Sequence, residues 1–268
     1  MSKTVLITGA SSGIGKATAL FFLEKGWNVV ATARSPESIQ DLKSSDRLTV
    51  LRLDVTDPVT IEEAVTKTIG RYVRIDVLVN NAGYGLLGPF EAATPEQIQR
   101  QFATNVFGIF EVTRSLLPHF RQQRAGIIIN IASMGGRMAF PFASFYHATK
   151  WAIEGFSESL QYELEPFGIH VKVIEPGAIS TGFASRLDIP PETGLPEYDN
   201  PMKVLLKRTH EAYSKNYTNP DVVAKVIYRA ATDNSKRLRY AASAPILAIR
   251  KLLSDRLFFA LIRQFMRS

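Results

Sequence analysis

Tyr146 and Lys150 stand four residues apart in the stretch SFYHATKWAIEG. On a helix that spacing brings phenol and ammonium to one face. A free tyrosine, with a pKa of about 10, is too weak an acid to exchange protons efficiently near neutrality, but a neighbouring cation favours its phenolate. Lys150 can therefore tune Tyr146 for general acid and base work. Ser133, two residues beyond the apolar run GIIINI, is placed to donate a hydrogen bond to a substrate oxygen and hold it in position. Asn105, in ATNVFG, has an amide that competes for local backbone bonds. It predicts a kink in a long helical pattern, where a bound water could relay protons to Lys150. Each of these residues has an ordinary structural use when taken singly, and only their combination points to chemistry.

The elements that must position them are legible from periodicity. Runs that are apolar at nearly every position, as expected of strands covered on both faces, cover Thr4 to Thr8, Asn28 to Ala33, Leu48 to Leu53, Val77 to Asn80, Gly126 to Ile131, Val171 to Glu175 and Leu238 to Ala242. Helical patterns near Gly15 to Lys25, Thr60 to Gly70, Pro95 to Gln122 and Ser144 to Pro166 alternate with them. This is the pattern of an α/β protein with a doubly wound, mostly parallel sheet of about seven strands, of the Rossmann type. The chain of 268 residues reads as one domain. Residues 1–181 form the core, 182–219 a Pro-rich excursion placed to cover the substrate crevice as a lid, and 236–268 a basic extension.

VLITGASSGIG puts Gly9, Gly13 and Gly15 between the first strand and the first helix. A turn of this kind lets backbone approach a pyrophosphate while the helix start offers N–H groups to the anion. The spacing is G-x-x-x-G-x-G, which differs from the commonest dinucleotide fingerprint. The second strand ends at Arg34 with no acidic residue immediately beside it, a choice that suits the 2′-phosphate of NADP better than the bare ribose of NAD.

The chain has no cysteine, which excludes disulfides, thiolate nucleophiles and cysteine-ligated metals, and the spacing of its four histidines suggests no metal site. An apolar run beginning at Val5 leaves no room for a signal peptide, and no segment is apolar for long enough to span a bilayer, so a cytoplasmic location is expected.

Together these residues resemble the short-chain dehydrogenase/reductase family, closest to its NADP-dependent hydroxysteroid and retinol-type members. The resemblance runs from Lys3 to about Thr181 through TGASSGIG, LDVTD, NNAG, ATNVFG, NIAS, YHATK and PGAIST, in the family's order. It implies an oxidoreductase that moves a hydride between NADP(H) and a carbonyl or alcohol, with Asn105, Ser133, Tyr146 and Lys150 as catalytic tetrad. It also implies that Gly9, Ser11, Ser12, Gly13, Ile14 and Gly15 cradle the cofactor phosphates, that Asp54 and Val55 hold the adenine, that Asn81, Ala82 and Gly83 support the cleft, and that Pro176, Gly177, Ile179 and Thr181 clasp the nicotinamide. Tyr146 and Lys150 would touch the cofactor as well. By analogy, the helices carrying Asn105 and Tyr146 would form a homodimer contact. A regulatory protein that senses the cofactor on the same fold is the alternative, disfavoured by the complete tetrad.

The crevice is expected to be apolar, lined by Tyr84, Leu86, Leu87, Met134, Met138, Phe140, Phe142, Phe183 and Leu187, which suits a small lipophilic ketone, aldehyde or alcohol. From Lys236 onward, eight basic residues face one acidic residue, a surplus equal to the net charge of +7 of the whole chain. Behind Ser254 as N-cap, a helix would carry Arg256, Arg263, Gln264 and Arg267 on one stripe, with Leu257, Phe258, Phe259, Leu261, Ile262, Phe265 and Met266 around the remainder. Such a helix can cover the substrate entrance, meet a partner subunit or lie on an anionic membrane. Nucleic acid is not expected as a partner, because no reader motif accompanies the charge.

Overall fold

The computed structural model describes residues 2–39, 42, 45–181, 183, 187–189, 194–215 and 218–267, without the side chains of 209–215 and 265–267. The lid positions 182, 184–186, 190–193, 216 and 217, and the side chains of Phe265, Met266 and Arg267, lie outside the described residues.

Seven strands, β1 (Thr4–Ile7), β2 (Asn28–Ala33), β3 (Leu48–Arg52), β4 (Val77–Asn80), β5 (Gly126–Ile131), β6 (Ile169–Pro176) and β7 (Arg239–Ala242), form one sheet in the order β3-β2-β1-β4-β5-β6-β7. Every pairing is parallel. Because successive side chains point to opposite faces, each strand feeds two cores. Val5 and Ile7 pack with Phe22 and Ile227 on one side, while Leu6 packs with Leu116, Phe120 and Leu160 on the other. Helices α1 (Gly13–Glu24) and α7 (Pro220–Thr232) cover the first face. Helices α2 (Pro58–Tyr72), α4 (Gly108–Gln123) and α5 (Ser144–Leu164) cover the second. Both faces are thus sealed, which is why the strands lack the apolar–polar alternation of a half-exposed sheet.

No helix is expected over 220–232 from periodicity, yet the start of this stretch carries a local signal. Asn219 caps α7 by accepting from the Asp221 N–H at 2.9 Å, and Pro220 takes the first helical position. Tyr228 then seats edge-on against Phe21, Phe22 and Trp27. The helix expected over Pro95 to Gln122 is divided into α3 (Pro95–Phe102), a π-helical turn over Ala103–Phe107, and α4. The expected kink at Asn105 takes the form of this turn, a device that re-aims side chains inside a helix.

Helix α6 (Asp199–Lys215) lies within the excursion, and α8 (Ile246–Leu252) and α9 (Asp255–Arg267) follow β7. Ser254 behaves as the sequence suggests, accepting from the Leu257 N–H at 3.4 Å. Phe258 and Ile262 of α9 pack with Leu247 on Met134, Met138 and Phe140 of the segment after Ser133. Among the described residues no helix is long and apolar enough to cross a membrane.

Candidate active site

The chain leaves β1 for β2 and β3, then crosses to β4 on the other side of β1, so the strand order reverses between β1 and β4. Crevices in open parallel sheets form at such switch points, beyond the C-terminal strand ends. The expected site residues gather there: Gly9 to Gly15 after β1, Arg34 after β2, Asp54 after β3, Asn81 to Gly83 after β4, Ser133 after β5, and Gly177 to Thr181 after β6.

The glycine turn is packed so closely that its three glycines have no room for side chains, as a turn that brings backbone up to a pyrophosphate requires. Gly9 and Gly13 have φ of +67° and +55°, and a β-carbon on Gly15 would collide with the Gly9 carbonyl oxygen. Asn81 holds the turn from behind, its Nδ2 donating to the carbonyl oxygens of Thr8 at 2.9 Å and Gly9 at 3.0 Å. Thr8 Oγ1 in turn accepts from the N–H groups of Asn81 and Ala82, both at 3.0 Å. Ser12 is the extended N-cap of α1, and its neighbour Ser11 is partly exposed. The side chains of Val55 and Ile179 are buried in the cores, and partly buried Ile14 packs against the first of them. Asp54 accepts from both the N–H and the hydroxyl of Thr56, at 2.9 and 2.8 Å, and so shapes the turn before α2. Arg34 is exposed immediately beyond β2.

Three of the four expected tetrad residues, Asn105, Tyr146 and Lys150, lie close together. Lys150 is 7% exposed, donates to the Ile131 carbonyl oxygen at 2.9 Å, and lies 5.8 Å from the Tyr146 ring centroid. Burial pulls its pKa down to about 8, against the attraction of the Glu154 carboxylate. Asn105, fully buried, grips the Tyr84 backbone: Oδ1 accepts from the N–H at 3.1 Å and Nδ2 donates to the carbonyl at 2.8 Å. Its Nδ2 also reaches Thr149 Oγ1 at 3.3 Å, tying the π turn to α5. A β-carbon on Gly83 would come within 3.1 Å of Asn105 Oδ1 and 3.9 Å of Lys150 Nζ, so NNAG, the π turn and α5 meet at one point. Ser133, whose Oγ accepts from the Gly135 N–H at 3.0 Å, begins the segment that α9 covers.

With this geometry in view, the matches to known proteins become informative. The family described as short chain dehydrogenase matches residues 3–190. The chain belongs to the short-chain dehydrogenase family. Like its relatives it is an oxidoreductase. It is 43% identical over 190 residues to a 3-ketodihydrosphingosine reductase of Bacteroides thetaiotaomicron, covering 71% of this chain and 69% of the relative. A short-chain dehydrogenase of Streptomyces avermitilis has a solved structure 34% identical, with a TM-score of 0.82 over 100% of this chain and 98% of that one. Two further solved structures, each with a TM-score of 0.75, differ in cofactor. ElxO, 27% identical over 92% of this chain and 100% of its own, has NADP bound. A 3-ketoacyl-(acyl-carrier-protein) reductase of Brucella melitensis, also 27% identical, over 90% and 95%, is complexed with NADH.

Two residues that hold the surroundings of this site together, His147 and Asp188, are not announced by the sequence. His147, beside Tyr146, accepts at Nε2 from the Phe140 N–H at 3.0 Å and meets the Gly135 carbonyl oxygen through Nδ1 at 2.8 Å. Both bonds are satisfied by a neutral ring protonated on Nδ1, and burial holds its pKa below the ordinary histidine value against the Gly135 bond. It straps the segment after Ser133 to α5. Asp188 anchors the start of the excursion: it accepts from Gln97 Nε2 at 2.9 Å and Arg100 Nη2 at 3.1 Å. Its backbone pairs with Gly85 and Leu87 at 2.8 and 2.9 Å. Nothing in local spacing announces either role, since both depend on partners distant in the chain.

The expected apolar lining divides in two. Leu86 and Met138 are each 2% exposed and belong to the packed interior, Met138 beneath α9. Phe183 stands 5.8 Å from the Tyr146 ring, and with Leu187 it occupies the space a β-carbon on Gly85 would need. Removing the Asp188 carboxylate loosens the support of these two side chains and leaves the chemistry intact. In Asp188→Ala the substrate KM is expected to rise about three- to tenfold, equivalent to ~1 kcal/mol, with kcat changed less than twofold or so, in steady-state kinetics. Equal falls in kcat and kcat/KM would assign Asp188 to the chemistry instead.

Proposed function

We propose that the protein is an NADP(H)-dependent reductase or dehydrogenase that interconverts a lipophilic ketone or aldehyde and its alcohol. The observation that carries this reading is the buried Lys150, held by the Ile131 carbonyl oxygen at the end of β5 and lying 5.8 Å from the Tyr146 ring, with Asn105 converging on the same point beside Gly83. When bound, the nicotinamide supplies or accepts the hydride. The chain supplies the proton: Tyr146 gives it to the carbonyl oxygen during reduction and takes it back during oxidation, and the Lys150 charge stabilises the phenolate left behind. Ser133 orients the oxygen by hydrogen bonding.

The preference for NADP rests on Arg34, an exposed guanidinium at the end of β2 where a 2′-phosphate would sit. The lipophilic substrate is supported by Phe183 and Leu187 beside Tyr146 and by the keto lipid in the name of the Bacteroides relative. The test follows NADPH and NADH consumption with a panel of lipophilic ketones and aldehydes. NADPH is expected to win, and Arg34→Glu is expected to raise its KM about tenfold or more while changing that of NADH little. Equal use of both cofactors by the unaltered protein would remove the assignment to Arg34.

We also propose peripheral contact with an anionic lipid surface through α8 and α9. One side of α9 is spent on the Met138 cluster, yet Ile249, Leu252, Leu257, Phe259 and Leu261 remain exposed among Lys251, Arg256 and Arg263. Exposed apolar side chains beside cations suit the headgroup boundary of anionic lipid. Sedimentation with phosphatidylserine-containing vesicles, but not with purely zwitterionic ones, is the expected result. Leu257→Ser combined with Arg263→Glu is expected to abolish it without baring the buried Phe258, and undiminished binding of that variant would count against the surface. Exposed Phe107, Trp151 and Tyr162 on and around α4 and α5 support a homodimer across those helices, which the sedimentation velocity of the intact protein measures.

A further inference from the structure

Beneath the tetrad lies a group of charges that the proposed reaction does not use. Glu154 follows Lys150 by one turn of α5 and is 4% exposed. Its Oε2 accepts from Arg239 Nε of β7 at 2.9 Å, while Oε1 is buried without a hydrogen-bond partner. Glu175 of β6, 6% exposed, lies 3.9 Å from Arg239 and 3.8 Å from Arg137, the residue that follows the short turn after Ser133. Glu158, one turn further along α5, takes the other side of Arg239 at 2.5 Å, and Lys251 of α8 and Arg237 add positive charge towards Glu175. The Gly136 backbone seals the assembly: a β-carbon there would come within 3.0 Å of both Glu154 Cγ and the Lys150 carbonyl oxygen.

We propose that Glu154 is a positioning residue for the acid–base pair, its buried carboxylate keeping Lys150 charged beside Tyr146 while Arg239, Arg137 and Glu175 set how readily Glu154 itself ionises. The inference rests on the reading of Tyr146 and Lys150 given above. A carboxylate oxygen buried without a donor is costly unless a nearby charge compensates it. Lys150 is the cation one turn away on the same helix, equally sealed from water, and two buried charges so placed interact far more strongly than they would in solvent. Burial, and next Glu175, push the Glu154 carboxyl up to about 7 against the pull of Arg239 and Arg137. The Lys150 value of about 8 already includes the attraction of the Glu154 carboxylate, so without that charge the lysine would release its proton at still lower pH. The arrangement protects the lysine charge where it is most at risk.

The test reads Lys150 directly, in protein free of cofactor and substrate. Nuclear magnetic resonance of lysine labelled at the ε-carbon follows its titration, with the signal assigned by its loss in Lys150→Met. In Glu154→Gln, which keeps an oxygen acceptor for Arg239, the Lys150 midpoint is expected to fall by about one pH unit or more, and in Glu154→Asp by less. The alkaline limb of kcat for carbonyl reduction is expected to move down by the same amount, with the maximal kcat changed little. A Lys150 midpoint unaltered in a folded Glu154→Gln overturns the proposal. Should that variant fail to fold, Glu154→Met removes the same charge without burying an amide, and the same two outcomes apply. If Tyr146→Phe retains activity, the acid–base reading fails, whereas the lysine titration still reports on Glu154.

Discussion

Tyr146→Phe is expected to lower kcat for carbonyl reduction roughly a hundred- to ten-thousandfold, the range that a positioned general acid contributes. The change removes one hydroxyl from a partly exposed ring that keeps its packing against Phe183 and His147. Cofactor affinity and Tm are accordingly expected to stay near those of the unaltered protein. The loss therefore falls on kcat and kcat/KM together, the signature of an interaction made in the transition state. Stopped-flow measurement of NADPH oxidation in a single turnover isolates the step from product release. Turnover within threefold or so of the unaltered protein would defeat the mechanism.

Lys150→Met is expected to separate stability from activity in opposite directions. Burial holds Lys150 near 8 in the folded chain, whereas an unfolded chain returns it to about 10.4. The folded state thus binds that proton less tightly, and the side chain costs stability. The sign follows from linkage: the penalty is complete below pH about 8 and fades as pH rises towards about 10.4, because the unfolded chain carries more protons across that window. Methionine fills a similar volume without a charge to desolvate. Its gain, less the acceptor left unpaired on Ile131 and the Glu154 carboxylate left without its neighbouring cation, is ~1 kcal/mol at neutral pH, seen as a slightly higher Tm. Activity is expected to fall about a hundredfold or more, because the phenolate loses its cation. A variant that is both less stable and less active would place Lys150 among structural groups.

The wider pattern is a locally unfavourable charge placed where the proposed chemistry requires one, with the surrounding structure containing it. Asn105 makes the same point. Within a helix its side chain competes with the backbone, and the chain answers with a π turn that aims the amide at Tyr84 and Thr149.

Much of this was open to inspection in the amino-acid order, for physical reasons. Strands buried on both faces are apolar throughout, so β2, β4 and β5 begin and end where the periodicity puts them. The glycines after β1 stand where a β-carbon would meet backbone, and the spacing of Tyr146 and Lys150 is a property of any helix. These signals are local, encoded within a turn or a strand. What escaped was encoded between elements. α7 is a helix whose apolar face has meaning only against α1, and Asp188 acquires a role only when the excursion folds back on Gln97 and Arg100.

Met138 and Glu154 mark the boundary between the two kinds of information. By composition Met138 suits a substrate pocket, but α9 closes over it and makes it core. Glu154 reads as one more helical carboxylate bound for solvent, until β6 and β7 bring Glu175 and Arg239 against it and bury its charge. Order along the chain determined the family, the strands and the spacing of the proposed acid–base pair, because those depend on residue type and short spacing. Which side chains are sealed from water, and hence how strongly Lys150 and Glu154 act on one another, was decided only in three dimensions, because desolvation belongs to the assembled neighbourhood rather than to any residue.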